Sequence, residues 1–311
     1  MPIVRPLAEG DLPAARHIVR TAFGTFFGMP EPEKCFADRD YVYGRFGADH
    51  VEAYGAEENG ALAGSNFATR WGSFGFFGPL STRVDLQNQG AGQSLVEAVC
   101  GSFERWGVAL AGLFTFPHST KHIHLYGKFG FYPRFLTALM ARPAQAGSLT
   151  ERARYSALSP DERRAAEDAA FALTDSVYEG LDLRSEIRTV AARELGDTLL
   201  LWDGSRLAGF AVCHWGPRSE AGADTHYVKF GAARAGAGAG QRFAALLDAA
   251  GALAAAAGMK TLLAGTNLER EEAYRQMKAS GFRSEAQGVA MIRGNRPGFN
   301  RPGAYVIDDW R

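Results

Sequence analysis

The sequence predicts a fold of the α/β class with a mixed sheet (α+β). It predicts two tandem domains, each a mostly antiparallel twisted sheet flanked by helices. Three observations carry this. Leu62-Ala63-Gly64 recurs as Leu207-Ala208-Gly209, Gly90 as Gly236 or Gly238, and Gly130-Phe131 as Gly281-Phe282, in the same order and about 150 residues apart. Each half opens on helix-start chemistry followed by a hairpin turn. Each half then runs from strand-like residues through a glycine turn into an amphipathic helix.

The elements follow in order. In "GDLPAARHIVRTAF", Asp11 is placed as an N-cap, Pro13 stands in the first turn, and Leu12, Ile18, Val19 and Phe23 form the apolar stripe. In the second half Ser159-Pro160-Asp161-Glu162 reads as a capping box with proline at the first helical position. Strand pairs come next, turning at Asn59-Gly60 and at Asp203-Gly204, dipeptides suited to two-residue hairpins. "FFGPLSTRVDL", residues 76 to 86, reads as a further strand, and "VALAGLFTF" as the one after it. Between them Leu95, Val96, Val99, Phe103 and Trp106 recur at helical spacing. The stretch "TALMARPAQAGSLTERARYS" marks the boundary, dividing the chain into 1–146 and 147–311. "AARAGAGAGQRFAALLDAAGALAAAAG" favours helix through alanine while specifying little packing. The closing "RPGAYVIDDWR" reads as a final strand of structural role.

Composition narrows the function. In 311 residues, 34 Lys+Arg balance 34 Asp+Glu and no basic block occurs, which points away from nucleic acid and membrane surfaces and toward a small molecule or a protein. The first twenty residues carry charges where a secretory signal needs an apolar core, and no apolar run spans a bilayer, so a soluble cytoplasmic protein is expected. Cys35, Cys100 and Cys213 lie far apart in apolar surroundings and read as free buried thiols.

The turn "QNQGAGQ" states the chemistry. It feeds a helix whose first N–H groups and positive dipole end face the turn, and Gly90 and Gly92 remove the side chains that would hold off a large anion. A pyrophosphate suits it; a turn whose glycines only relieve strain is the competing reading. A dinucleotide fingerprint does not fit, because Leu95 stands at the third glycine and antiparallel strands precede the turn.

Gln87-Asn88-Gln89-Gly90-Ala91-Gly92 resembles the pyrophosphate loop Gln/Arg-x-x-Gly-x-Gly/Ala of the GNAT superfamily of acyl-CoA-dependent N-acyltransferases. Leu125-Tyr126-Gly127-Lys128-Phe129-Gly130-Phe131 resembles that family's second mark. The resemblance covers most of residues 3 to 140 and continues more weakly through the second half. It implies an acetyl-CoA cosubstrate, with the pyrophosphate held by backbone around Gln87, Asn88, Gln89, Gly90, Ala91, Gly92 and Gln93. The pantetheine arm would lie beside Leu80, Ser81 and Thr82, where a backbone N–H polarises the thioester carbonyl. It also implies that Tyr126 is the general acid that protonates the departing thiolate. The base is not written in a motif. His118 is the candidate carried forward, with His122 beside it, and a structural histidine is the competing reading for each. A metal site at His118, His122 and His124 would lack a carboxylate or thiol, since residues 105–150 contain none, and no metal is expected. Asn66, Arg70 or Trp71 would line the acceptor side if they faced the cleft, with core packing as the alternative.

The second half departs from the pattern. Ala233 or Ala235 stands at the position matching Gln87, and Met277 stands where Tyr126's counterpart would be, with Tyr274 nearby on the helix. A silent second domain is expected, kept for CoA binding, acceptor-site walls or dimer contacts. The whole then reads as an N-acetyltransferase acting on a primary amine of a small molecule or a protein, as monomer or homodimer. A CoA or acyl-CoA sensor without turnover is the alternative.

Overall fold

The computed structural model describes residues 2–311. In the first half, β1 (Ile3–Pro6) pairs with β2 (Val51–Glu58). β2 returns as β3 (Ala61–Trp71) across Asn59 and Gly60, whose φ of 53° and 78° are the left-handed pair a two-residue hairpin needs. Between β1 and β2, α1 (Leu12–Phe26) buries Leu12, Ala15, Ile18 and Val19. Asp11 does not cap it through its side chain. The carboxylate instead accepts the Ala8 N–H at 2.8 Å and pairs with Arg5 at 2.6 Å, partners that outcompete the helix end.

Residues 76–86 are not one strand. β4 (Phe74–Phe77) is followed by a break, then by β5 (Ser81–Thr82) and a 3-10 turn at Val84–Leu86. β4 runs parallel to β6 (Leu110–Thr115), and their pairing stops at Phe77 opposite Leu113. β5 has turned away to pair with β3 at Gly64 and Ser65. A wedge therefore opens between residues 78–82 and the end of β6. α2 (Ala91–Arg105) and α3 (Thr120–Gly127) flank it, and β7 (Phe131–Pro143) follows.

The second half repeats the plan. α4 (Pro160–Val177) starts on a closed capping box, the Ser159 hydroxyl accepting from the Glu162 N–H while the Glu162 carboxylate accepts the Ser159 N–H at 3.0 Å. After α5 (Arg184–Ala192) come β8 (Gly196–Asp203), β9 (Arg206–Gly216) and β10 (Gly222–Ala233). Then follow α6 (Ala239–Ala256), β11 (Thr261–Asn267), α7 (Glu271–Ala279), β12 (Arg283–Arg293) and β13 (Val306–Asp308).

All thirteen strands form one sheet, in the order β1-β2-β3-β4-β6-β12-β7-β11-β10-β9-β8, with β5 beside β3 and β13 beside β10. Among the described residues only β4/β6 and β10/β11 are parallel. The halves exchange strands at the centre: β12 of the second half pairs with β6 of the first, and β7 of the first pairs with β11 of the second. The core is shared accordingly, with Trp71, Phe74 and Phe76 packed among Leu173, Leu181, Ile187 and Phe230. Gly72, at φ 61°, admits the second half's backbone, since a Cβ there would lie 2.1 Å from the Gly180 carbonyl oxygen.

A buried charge network crosses the same seam. Glu186 accepts from Trp71 Nε1 and His50 Nε2, each at 3.0 Å, and pairs with Lys229 at 3.1 Å. Lys229 also pairs with Glu220 at 2.9 Å, and Glu220 with Arg45 at 2.8 Å. Burial alone would raise the Glu186 carboxyl; Lys229 and His50 override it and hold the group well below the usual range. A depressed folded pKa gives stability that is complete above the unfolded value near 4.5 and is lost as pH falls through the folded one. Glu186→Ala strips His50 Nε2 and Trp71 Nε1 of their buried acceptor and leaves Lys229 to share Glu220 with Arg45. It should cost about 3–5 kcal/mol, read as a lowered midpoint in denaturant unfolding at pH 7. No helix among the described residues is long and apolar enough to cross a membrane.

Candidate functional site

The site grows from the wedge beside β4. Gly90 is the N-cap of α2 at φ 93°, a conformation that glycine adopts without the cost an L side chain incurs, and Asn88 also sits at positive φ. A Cβ at Gly90 would meet nothing within 4 Å, and one at Gly92 only Leu125 and Thr82 at 3.8 and 3.9 Å. Neither glycine is demanded by packing; Gly90 answers to its left-handed backbone, and the approach to the helix end is open. Asn88, Gln89 and Gly90 are exposed, Gln93 faces solvent in the first turn, and Ala91 is buried as the anchor. Gln87 is half-buried and accepts a hydrogen bond from Lys121 Nζ at 3.1 Å, which puts a cation at the edge of the loop. Lys121 was not legible as a site residue, because it lies in another element.

On the strand side, the Arg83 N–H donates to the Ala63 carbonyl at 2.8 Å. Alternation along an antiparallel pair then turns the Ser81 N–H toward β3 and the Thr82 N–H into the wedge, with Leu80 just before the ladder. The wedge ends in a cavity of about 440 Å³ lined by Leu80, Phe114, Phe116, His122 and Tyr126, with Phe23, Arg39 and Tyr41 from the first half's outer layer. Trp310 and Arg311 complete its wall.

Tyr126 is buried on α3, its ring edge-on to Phe77 at 5.6 Å between centroids. Burial pushes its phenol up, so it remains protonated throughout the neutral range. His122 is one helical turn earlier on the same face, its ring centroid 6.3 Å from that of Tyr126. Its Nδ1 is buried without a partner. Burial first, then Lys121 and His118, hold it below the ordinary histidine value. His118 is exposed, stacked on Phe26 at 5.5 Å, and is not among the residues lining the cavity. Ser119, whose side chain accepts the His122 N–H, caps the helix between the two histidines, and His122 also packs on Phe26, at 5.2 Å between centroids. Asn66 and Trp71 are core residues, and Arg70 is exposed and donates to the Gly72 carbonyl at 3.2 Å.

The second half shows the same geometry with other residues at the corresponding positions. Gly238, at φ 77°, is the N-cap of α6 and so the counterpart of Gly90. Arg242 folds back over this loop and donates to the carbonyls of Arg234 at 2.8 Å and Ala237 at 2.9 Å. Met277 is fully buried at the position of Tyr126. Tyr274 packs beside that core under the Lys278 ammonium, 4.5 Å from its ring centroid.

Residues 14–131 match the model of the acetyltransferase (GNAT) family. The fold is similar along nearly its whole length to an acetyltransferase candidate from Pyrococcus horikoshii, with 15% identity, a TM-score of 0.65, and 99% of this chain and 95% of that one covered. It is similar also to a GCN5-related N-acetyltransferase from Sphaerobacter thermophilus, with 17% identity, a TM-score of 0.60 and 96% of each chain covered. A third, from Kribbella flavida, has 15% identity and a TM-score of 0.51 over 94% of this chain and 70% of its own. At such identities the likeness is one of fold. No curated protein matches the sequence.

Proposed function

We propose that the first half, whose residues 14–131 match the acetyltransferase (GNAT) family model, transfers an acetyl group from acetyl-CoA directly to a primary amine. The observation that carries this is the continuity of the wedge, from the glycine-capped end of α2 past Leu80–Thr82 to Tyr126. Backbone N–H groups of residues 88–93 hold the pyrophosphate, with Lys121 and Gln87 at its edge. The open approach at Gly90 and Gly92 fits a ligand of that size. Acetyl-CoA supplies the activated acyl carbon. The N–H of Leu80 or Thr82 polarises its carbonyl. As the amine nitrogen bonds to that carbon and the C–S bond breaks, His122 takes the amine's proton and Tyr126 gives its own to the sulfur.

The cavity adds a limit on the acceptor. Its wall is aromatic, carries Arg39 and Arg311, and among the lining residues has no Asp or Glu. An acceptor with an apolar body and no second positive charge fits such a wall. The division into units 1–146 and 147–311, the cytoplasmic setting and the silence of the second half belong to the same reading.

The test is thiol release from acetyl-CoA over a panel of amines. Turnover is expected to favour aromatic monoamines over polyamines. The acid limb of kcat/KM should lie below pH 6.5, where a histidine of lowered pKa takes up its proton. His122→Gln should remove that limb. An unchanged limb would assign the base elsewhere.

A further inference from the structure

The wedge that stays open in the first half is filled in the second. β10 leaves β11 after Val228 opposite Ala264, as β4 leaves β6 after Phe77 opposite Leu113. Residues 230–232 then continue along β9, as residues 81–82 continue along β3. On their free edge, however, they pair with β13: Phe230 with Asp308, Gly231 with Ile307 and Ala232 with Val306. The Ala233 N–H extends the ladder to the Tyr305 carbonyl at 3.0 Å.

We propose that residues 305–308 occupy, in the second half, the slot that the acyl carrier's arm takes in the first. The chain would then bind a single cosubstrate, and the same strand would deliver Trp310 and Arg311 as acceptor-selecting residues of the first half's cavity. The second part rests on the acetyl-transfer reading above; the first rests on the strand pairing alone.

The seat for this strand is built on every side. Arg270, fully buried on the α7 side, donates to the Val306 carbonyl at 3.1 Å and pairs with Asp308 at 2.6 Å. Thr266 Oγ1 donates to the Val306 carbonyl at 3.2 Å. Gly265 of β11 makes room for Asp309, because a Cβ there would lie 2.5 Å from the Asp309 side chain. Gly112 on β6 likewise makes room for Trp310, whose ring a Cβ would meet at 2.8 Å. Such interior strand glycines mark close approach of another segment. The Tyr305 hydroxyl lies 3.1 Å from where a Gly240 Cβ would stand, covering the first turn of α6 that corresponds to the open turn at Gly92.

Beyond β13 the chain crosses to the first half. Asp309 accepts from Tyr227 at 2.8 Å and from Arg311 Nε at 2.9 Å. Trp310 is held at φ 54° with its ring 4.9 Å from that of Phe74. Arg45 donates both to the Gly78 carbonyl, at the mouth of the first wedge, and to the Arg311 carbonyl. The strand that closes one slot is thus tied to the entrance of the other.

Three measurements on the full chain test this. Calorimetric titration with CoA should give one site per chain, lost in Gly90→Glu and retained in Gly238→Glu. Two sites, or a site lost only in Gly238→Glu, would overturn the proposal. Hydrogen exchange should show the Ile307 amide slowed on the order of 100-fold or more relative to an unstructured peptide, and unchanged when CoA saturates the protein. Unprotected exchange, or protection lost on adding CoA, would overturn it. If wild type binds no CoA at all, the acetyl-transfer reading fails, and exchange in the free protein still decides whether the slot is filled. For the wall, Trp310→Phe should shift the ratio of kcat/KM for phenethylamine over ethylamine by on the order of 10-fold at unchanged CoA affinity. An unchanged ratio would remove Trp310 from acceptor selection.

Discussion

Tyr126→Phe should lower kcat for any accepted amine by about 100-fold or more, the range lost with a general acid, while the CoA dissociation constant stays within about twofold. The variant is clean. The Tyr126 ring packs with Phe77, Val96 and Phe131 in one cluster, and phenylalanine keeps those contacts. Burial is the one cause that raises its phenol, with no hydrogen-bonded partner contributing, so loss of the hydroxyl breaks no structural bond. Stopped-flow thiol release read beside calorimetry separates the roles. Turnover and affinity falling together would make Tyr126 a packing residue. Turnover unaffected would send the leaving-group proton through another donor. Affinity without turnover in wild type, on every amine offered, would favour a sensor of acyl-CoA.

Gly92→Glu should weaken CoA binding by about 100-fold or more without loss of stability. A carboxylate roughly 6 Å from a pyrophosphate charge costs on the order of 3 kcal/mol at the effective dielectric of a protein surface. In the free protein the same carboxylate sits in the first turn of α2, where it complements the helix dipole, and its Cβ meets only ordinary contacts. The opposite signs make the result diagnostic. Calorimetry gives the affinity and thermal unfolding the stability, and a variant that binds CoA normally would remove the pyrophosphate from this turn.

Much of this site was legible because its determinants are local. Gly90 and Gly92 lie within one turn, Tyr126 within one helix, and the hairpin at Asn59-Gly60 within two residues. The interruption of residues 76–86 was not legible, since Phe76, Phe77 and Leu80 suit a strand whether or not its neighbour continues beside it. The strand exchange was hidden for a related reason: β7 and β12 both pass from mostly exposed residues to a buried run, and nothing in either fixes which central strand it joins. Nothing in the sequence around Glu186, Lys229, Glu220 and Arg45 marks them as buried, and only the tertiary fold brings them to one seam. His122 was a candidate beside His118, and its place four residues before Tyr126 on one helical face was the sign that separates the two. Gly112 and Gly265, alone inside apolar strands, were the available sign that another segment comes close there.

The structure of the full chain with CoA bound tests the account most directly. The pyrophosphate is predicted on the N–H groups of residues 88–93, the thiol in the cavity beside Tyr126, and residues 305–308 in place along β10. CoA seated on the Gly236–Gly240 turn, with β13 displaced, would contradict it.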